Sequence, residues 1–327
     1  MKSYFIKSHD GKKIFIGVWD EVENPKAVIQ MVHGMGEHIG RYENVANYLN
    51  SKGFIVYGDD HRGHGKTAEN IDKIGDIGRD GFNKIVEDEK YITDMIKRKY
   101  PNLPHFICGH SFGSFISQEY LNRYSNDIDG IILCGSALQK GLGPVIGRIV
   151  STTQMLFGLG KKHAYFIARV TGNLFNKKIN DKSNNKNADV DLWLTSDEEE
   201  IEKLRNDKFC NHTLKVNFYY YMFKGFKTLY KSEKNKNIRK DIPILLIAGK
   251  EDPVGNYGEA VKELEAYYKG LCIENVSLKI YDGKKHELFN ELGREEIYDD
   301  LNNWLENIAL KSIKHTNEKK YILNNNG

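Results

Sequence analysis

Apolar positions along the chain fall into two alternating rhythms, short continuous runs and stripes at helical spacing, for the first 136 residues and again from 240 onward. Ser3 to Ser8 and Lys13 to Trp19 are β-rich runs parted by His9-Asp10-Gly11, which predicts an antiparallel hairpin. Ala27 to Val32 and Phe54 to Gly58 read as buried strands, with Tyr42, Val45 and Leu49 at helical spacing between them. Phe82, Ile85, Val86, Ile92 and Ile96 outline an amphipathic helix, and Phe106 to Cys108 and Gly130 to Cys134 are two more strands flanking a helical stretch from Phe112. The rhythm resumes with Ile242 to Gly249, a helix near Tyr257 to Tyr268, a strand at Val276 to Tyr281, and a final helix marked by Ile297, Leu301, Trp304, Leu305 and Ile308. Strands alternating with helices predict an α/β fold, a mostly parallel central sheet with helices on both faces.

From 137 to 239 strand-like runs are scarce. Leu142 to Leu159 is apolar and punctuated by glycine, Tyr165 to Phe175 is helix-like, and 176–187 is rich in asparagine and lysine and reads as a loop. An acidic start at Asp197 to Glu200, with Ser196 as a plausible cap, leads to the aromatic-rich run Val216 to Tyr230. The expected organisation is a core of residues 1–136 and 240–313, a mostly helical lid insertion over 137–239, and a polar, frayed tail over 314–327.

Candidate chemistry centres on Gly109-His110-Ser111-Phe112-Gly113, a G-x-S-x-G sequence between an apolar strand and a helix. That context is the nucleophile elbow, a turn so tight that side chains at 109 or 113 would strike neighbouring backbone. A serine hydroxyl is a weak nucleophile alone and needs a histidine base oriented by a carboxylate. In elbow-bearing enzymes the chain order is serine, acid, histidine, each on a loop after a strand. Asp252 follows the strand at Ile244 to Ala248, and His286 follows the strand ending at Tyr281. Asp282 is a competing acid, but it shares the histidine's loop and has no strand of its own. The amide of Phe112, directly after the serine and at a helix start, is the first expected oxyanion donor.

Charge and cysteine usage remove other classes. The 48 basic and 45 acidic residues leave a net charge of +3, too balanced for a nucleic-acid partner. The loop Asp59 to Thr67 ends in G-K-T but has Asp60 where a P-loop needs glycine, which disfavours nucleotide binding. Histidines 33, 38, 61 and 64 lie near glycine loops without H-E-x-x-H or a comparable spacing, so no metal is expected. The four cysteines, Cys108, Cys134, Cys210 and Cys272, form no C-x-x-C and read as buried reduced thiols. No apolar leader and no run of eighteen apolar residues is present, which predicts a cytoplasmic protein and leaves peripheral membrane contact through the lid open.

H-G-M-G-E-H-I-G-R-Y (33–42), D-H-R-G-H-G (60–65), G-H-S-F-G (109–113) and the loops at Asp252 and His286 resemble the monoacylglycerol lipase and lysophospholipase group of serine α/β-hydrolases. The resemblance covers residues 10–136 and 240–310. It implies a lid over an acyl pocket, monoacylglycerol or lysophospholipid esters as substrates, no cofactor, and Met35 in the H-G-x-G loop as the second oxyanion donor. Within the lid, some of Phe218, Tyr219, Tyr220, Tyr221, Met222, Phe223 and Phe226 are expected to contact the acyl chain while most pack the lid on the core, and Phe218, Tyr221 and Met222 are the candidates singled out. Two rivals remain: a prolyl aminopeptidase-like hydrolase, which requires the acids at 197–200 to face the cleft, and a non-catalytic ligand-binding protein of this fold. The oligomeric state is not legible in the sequence.

Overall fold

The computed structural model describes residues 1–183 and 192–325. Eight strands, β1 (Lys2–Lys7), β2 (Lys13–Trp19), β3 (Ala27–Val32), β4 (Phe54–Asp60), β5 (His105–His110), β6 (Gly130–Cys134), β7 (Ile244–Gly249) and β8 (Val276–Tyr281), form one sheet in the order β1-β2-β4-β3-β5-β6-β7-β8. β1 pairs antiparallel with β2, and β2 with β4; every neighbouring pair from β4 to β8 is parallel. This is the mostly parallel α/β sheet expected from the alternation, and it is the α/β-hydrolase fold that the resemblance implies.

Strand side chains alternate between the two faces, which is why the central runs are apolar throughout. Ile29, Met31, Phe106, Cys108, Ile132, Cys134, Leu245 and Ile247 share one core layer with α1 (Glu43–Ser51). Val32, Ile107, Ile131, Leu133, Ile244, Leu246 and Ala248 share the other with α2 (Gly81–Lys99) and α3 (Phe112–Tyr124). Between β6 and β7 the described residues hold α4 (Leu142–Leu156), α5 (Tyr165–Ser183), α6 (Glu198–Asn206), α7 (Val216–Leu229) and the single turn α8 (Ser232–Asn235). α9 (Glu259–Gly270) joins β7 to β8, and α10 (Arg294–Asn325) closes the chain, packing Ile297, Leu301 and Leu305 into the layer of α1.

Several local expectations change. The run 176–187, expected as a loop, continues α5 as far as Ser183; 184–187 lies outside the described residues. The cap of α6 is Asp197 rather than Ser196, its carboxylate accepting from the Glu199 and Glu200 amides at 3.0 and 3.4 Å. The C-terminal segment, expected to fray, is helical through Asn325, since neither glycine nor proline interrupts it before then. Cys272 is exposed, at a positive φ of 60° just beyond α9; the other three cysteines are buried, and all four are free.

Candidate active site

The parallel strands end on one side of the sheet, and the loops that leave β3, β5, β7 and β8 there converge. Ser111 stands between β5 and α3 with φ 51° and ψ −120°, a conformation that costs a non-glycine residue of order 1–3 kcal/mol. The glycines permit it: a Cβ at Gly113 would run into the Val32 carbonyl oxygen, and one at Gly109 would meet Ser117 Oγ and the Gly113 backbone. The Ser111 N–H donates to the Cys134 carbonyl at 3.0 Å, which ties the turn to β6.

His286 and Asp252, 34 residues apart, meet in the interior. His286 Nδ1 lies 2.9 Å from Asp252 Oδ2, and both residues are buried. Asp252 also accepts from the Val254 amide at 2.8 Å through its other oxygen. A carboxylate can only accept from the ring here, so Nδ1 carries a proton. His286 Nε2 has no hydrogen-bond partner among the described residues. Asp282 lies elsewhere, exposed and paired with Lys250 at 2.7 Å.

Ser111 and His286 line one cavity of about 240 Å³, together with Gly34, Met35 and Gly36 of the loop after β3. Its apolar wall is built from Phe175, Trp193, Leu194, Leu204, Leu214 and Tyr219. Ala168, Thr171, Gly172 and Phe175 are one face of α5, spaced i, i+3, i+4, i+7. Trp193 stacks at a tilt on His286, with ring centroids 4.9 Å apart. The polar end comprises Glu37, Arg41, Asn211, His212 and Glu287.

A buried charge network braces that end. Arg41 bridges Glu287 through two bonds of 2.8 and 2.6 Å and reaches Glu37 at 3.0 Å. Glu37 accepts from the Gly34 amide at 2.5 Å and from the Tyr42 hydroxyl at 2.7 Å, and its Oε1 lies 3.3 Å from His110 Nδ1. Burial works against ionising Glu37, but His110 and Arg41 outweigh it and hold its pKa well below the usual carboxylate range. Burial likewise opposes a charge on His110, and Glu37 raises its pKa above the ordinary histidine value. The loop after β3, the residue before Ser111 and the residue after His286 are thus joined by one set of charges.

Of the positions singled out in the sequence, Ser111, His286 and Met35 line the cavity, and Asp252 reaches it through His286. Phe112 is buried directly behind Ser111 at the start of α3. Phe218 is fully buried and packs on Phe112, with centroids 4.8 Å apart, while Tyr221 lines a separate groove and Met222 packs against the core; none of the three lines the cavity. Tyr219, between them, does. Trp193 and the α5 face carried no sequence signal, because a lone tryptophan and a mixed small and aromatic stripe resemble ordinary packing. The acids at 197–200 do not line the cavity: Asp197 and Glu200 pair with Arg294 at 3.2 and 3.7 Å.

A family profile described as serine aminopeptidase, S33 (Hydrolase_4) matches residues 23–293. The chain belongs to that family. Within it, the chain is 27% identical to a monoacylglycerol lipase of Mycolicibacterium smegmatis over 301 residues, covering 90% of this chain and 93% of the relative. It is 26% identical to the monoglyceride lipase of Mus musculus, over 90% and 88% of the two chains. A thermostable carboxyl esterase from Bacillus coagulans, solved in complex with glycerol, superposes with a TM-score of 0.85 at 29% identity, over 94% of this chain and 98% of that one. The protein is an α/β-hydrolase enzyme, a carboxylic ester hydrolase resembling the monoacylglycerol lipase group.

Proposed function

We propose that this S33-family hydrolase cleaves the ester bond of single-chain acyl-lipids, monoacylglycerols or lysophospholipids, through Ser111, His286 and Asp252. The observation that carries the reading is His286, with Nδ1 on the buried Asp252 carboxylate, Nε2 unpartnered, and a cavity shared with a strained serine. Ser111 Oγ attacks the ester carbonyl as its proton passes to His286 Nε2. The oxyanion takes hydrogen bonds from the Met35 and Phe112 amides. His286 then protonates the departing alcohol, and a water attacks the acyl-serine with the same base, returning acid and enzyme.

Two features favour an acyl-lipid over a small ester. The cavity has an apolar wall and a polar end, as an amphiphile requires. The helices between β6 and β7, proposed as the lid over 137–239, carry an unusual exposed apolar face. Leu142, Ile146, Ile149, Leu156 and Phe157 of α4 and its end are 57–82% exposed, as are Phe166 and Leu174 of α5, at 62 and 64%. Such a face fits peripheral contact with a lipid surface. Among the described residues no helix is long and apolar enough to cross a membrane.

The test is a panel of esters varied in acyl length and head group, run on wild type and Ser111→Ala. Long-chain monoacyl esters should give the highest kcat/KM, and Ser111→Ala should lower kcat on the order of a million-fold. Residual turnover in Ser111→Ala near the wild-type rate would refute the mechanism, and indifference to chain length would refute the substrate class.

A further inference from the structure

We propose that His33 and His61 are positioning residues that aim the Met35 N–H at the reacting carbonyl by holding two successive peptide planes from beneath; this rests on reading Met35 as an oxyanion donor. Both imidazoles are fully buried and stacked, with centroids 3.8 Å apart and an interplanar angle of 18°. Neither touches the cavity, and neither has a part in the proton transfers.

The proton positions follow from the partners. His33 Nε2 faces the His61 backbone N–H at 2.9 Å and must accept. Its Nδ1 therefore carries the proton and donates to the Gly34 carbonyl at 2.7 Å. His33 is held neutral: burial, then the neighbouring His61 charge, push its pKa well below the ordinary value. His61 is the opposite case, since both of its nitrogens face acceptors. Nε2 donates to the His33 carbonyl at 3.1 Å and Nδ1 to Asp59 Oδ2 at 3.1 Å, a geometry only the imidazolium satisfies. Asp59 Oδ1 and Glu89 Oε1 also face His61 Nδ1, at 3.1 and 3.3 Å, and burial followed by the neighbouring Asp59 charge holds the Glu89 pKa well above the usual carboxylate range.

These bonds set the loop because its peptides are trans, so each carbonyl and the following N–H point in opposite directions. The His33 carbonyl is held by His61, and the Gly34 N–H on the far side of that plane goes to Glu37. The Gly34 carbonyl is held by His33, and the Met35 N–H on the far side of that plane has no acceptor among the described residues. Gly34 stands beside the serine, since a Cβ on it would lie 3.2 Å from Ser111 Cβ, and Met35 and Ser111 line the same cavity. One N–H is consumed by the protein and the next is left for the substrate. The two imidazoles prevent the Gly34–Met35 peptide from flipping.

The test uses full-length His33→Ala, His33→Asn and His33→Gln. The amide nitrogen of asparagine falls where Nδ1 was and keeps a donor toward Gly34; that of glutamine falls nearer Nε2 and does not. His33→Ala should lower kcat roughly 100-fold, the loss expected for one oxyanion donor, with KM changed far less. The inhibition constant of a long-chain alkyl trifluoromethyl ketone, which Ser111 adds to as an oxyanion-bearing hemiketal, should rise by a similar factor. His33→Asn should recover most of both losses and His33→Gln little. Unchanged kcat and inhibitor affinity in His33→Ala would overturn the proposal, as would a loss of kcat with inhibitor affinity intact. If the alanine variant does not fold, the asparagine and glutamine pair decides, and equal behaviour of the two counts against it. Ser111→Ala run alongside separates the layers: activity there removes the reading of the site itself, whereas an inactive Ser111→Ala beside a fully active His33→Ala removes only this inference.

Discussion

His64 and His105 are carried into the interior with no ion pair among the described residues, and their cost is legible in how stability should respond to acid. Burial, helped by the His61 charge, pushes His64 down to about 4, and burial pushes His105 down to about 3. Each is unprotonated in the fold yet would titrate near 6.5 in the unfolded chain. As pH falls below about 6.5 the unfolded state binds protons that the folded state refuses, so stability is lost until the folded pKa is reached. Each contributes a slope of about 1.4 kcal/mol per pH unit across that window. Urea unfolding between pH 7 and 4.5 should show a falling free energy, and His105→Gln should flatten the slope by about one proton. An unaltered slope in that variant would mean that His105 titrates alike in both states. At the same scale the elbow was the most legible feature, because G-x-S-x-G reports a local steric demand that each glycine meets by itself. His33 and His61 were legible only as a histidine cluster. Their roles come from hydrogen bonds between residues 28 apart, which no local pattern encodes.

At the scale of elements, strands were read to within two residues at each end, since their apolar runs are short and bounded by turn residues. The inserted helices were not read so well. α5 turns one face to the cavity with Ala168, Thr171, Gly172 and Phe175, and exposes Phe166, Val170 and Leu174 on another, so both faces are apolar and a single stripe is absent. α7 misled in the other direction: of the seven residues of its aromatic run that could line an acyl tunnel, Phe218, Tyr221 and Met222 were singled out, yet Phe218 belongs to the packing behind Ser111, and it is Tyr219 of that run that reaches the cavity. The exposed apolar face of α4 makes its own prediction. Each isoleucine buried in a lipid interface contributes about 1.5–3 kcal/mol, so Ile146→Asp with Ile149→Asp should weaken vesicle binding by well over tenfold. Co-sedimentation with phosphatidylcholine vesicles measures it. Hydrolysis of vesicle-borne monoacylglycerol should fall with binding while that of a soluble short-chain ester stays near wild type. Equal loss on both substrates would instead assign α4 to the catalytic fold.

For the whole molecule, sheet order decides the site. The β3, β5, β7 and β8 loops gather at one end of the sheet, and the Glu37–Arg41–Glu287 bridge ties the first of them to the last across 246 residues. Chain order was enough to nominate Ser111, Asp252 and His286, because parallel strands return every loop to the same end. It was not enough to predict the bridge, whose acids look like ordinary surface charge in sequence. Nor did it mark Trp193, which comes from the stretch between β6 and β7 and stacks on His286 across 93 positions of sequence. The central claim is that this end of the sheet holds one activated serine. The direct measurement is peptide mass spectrometry after exposure of the folded protein to a fluorophosphonate. The account predicts a single adduct, on Ser111, absent in Ser111→Ala and formed far more slowly in His286→Gln; no adduct on the folded protein, or one that persists in Ser111→Ala, would contradict it.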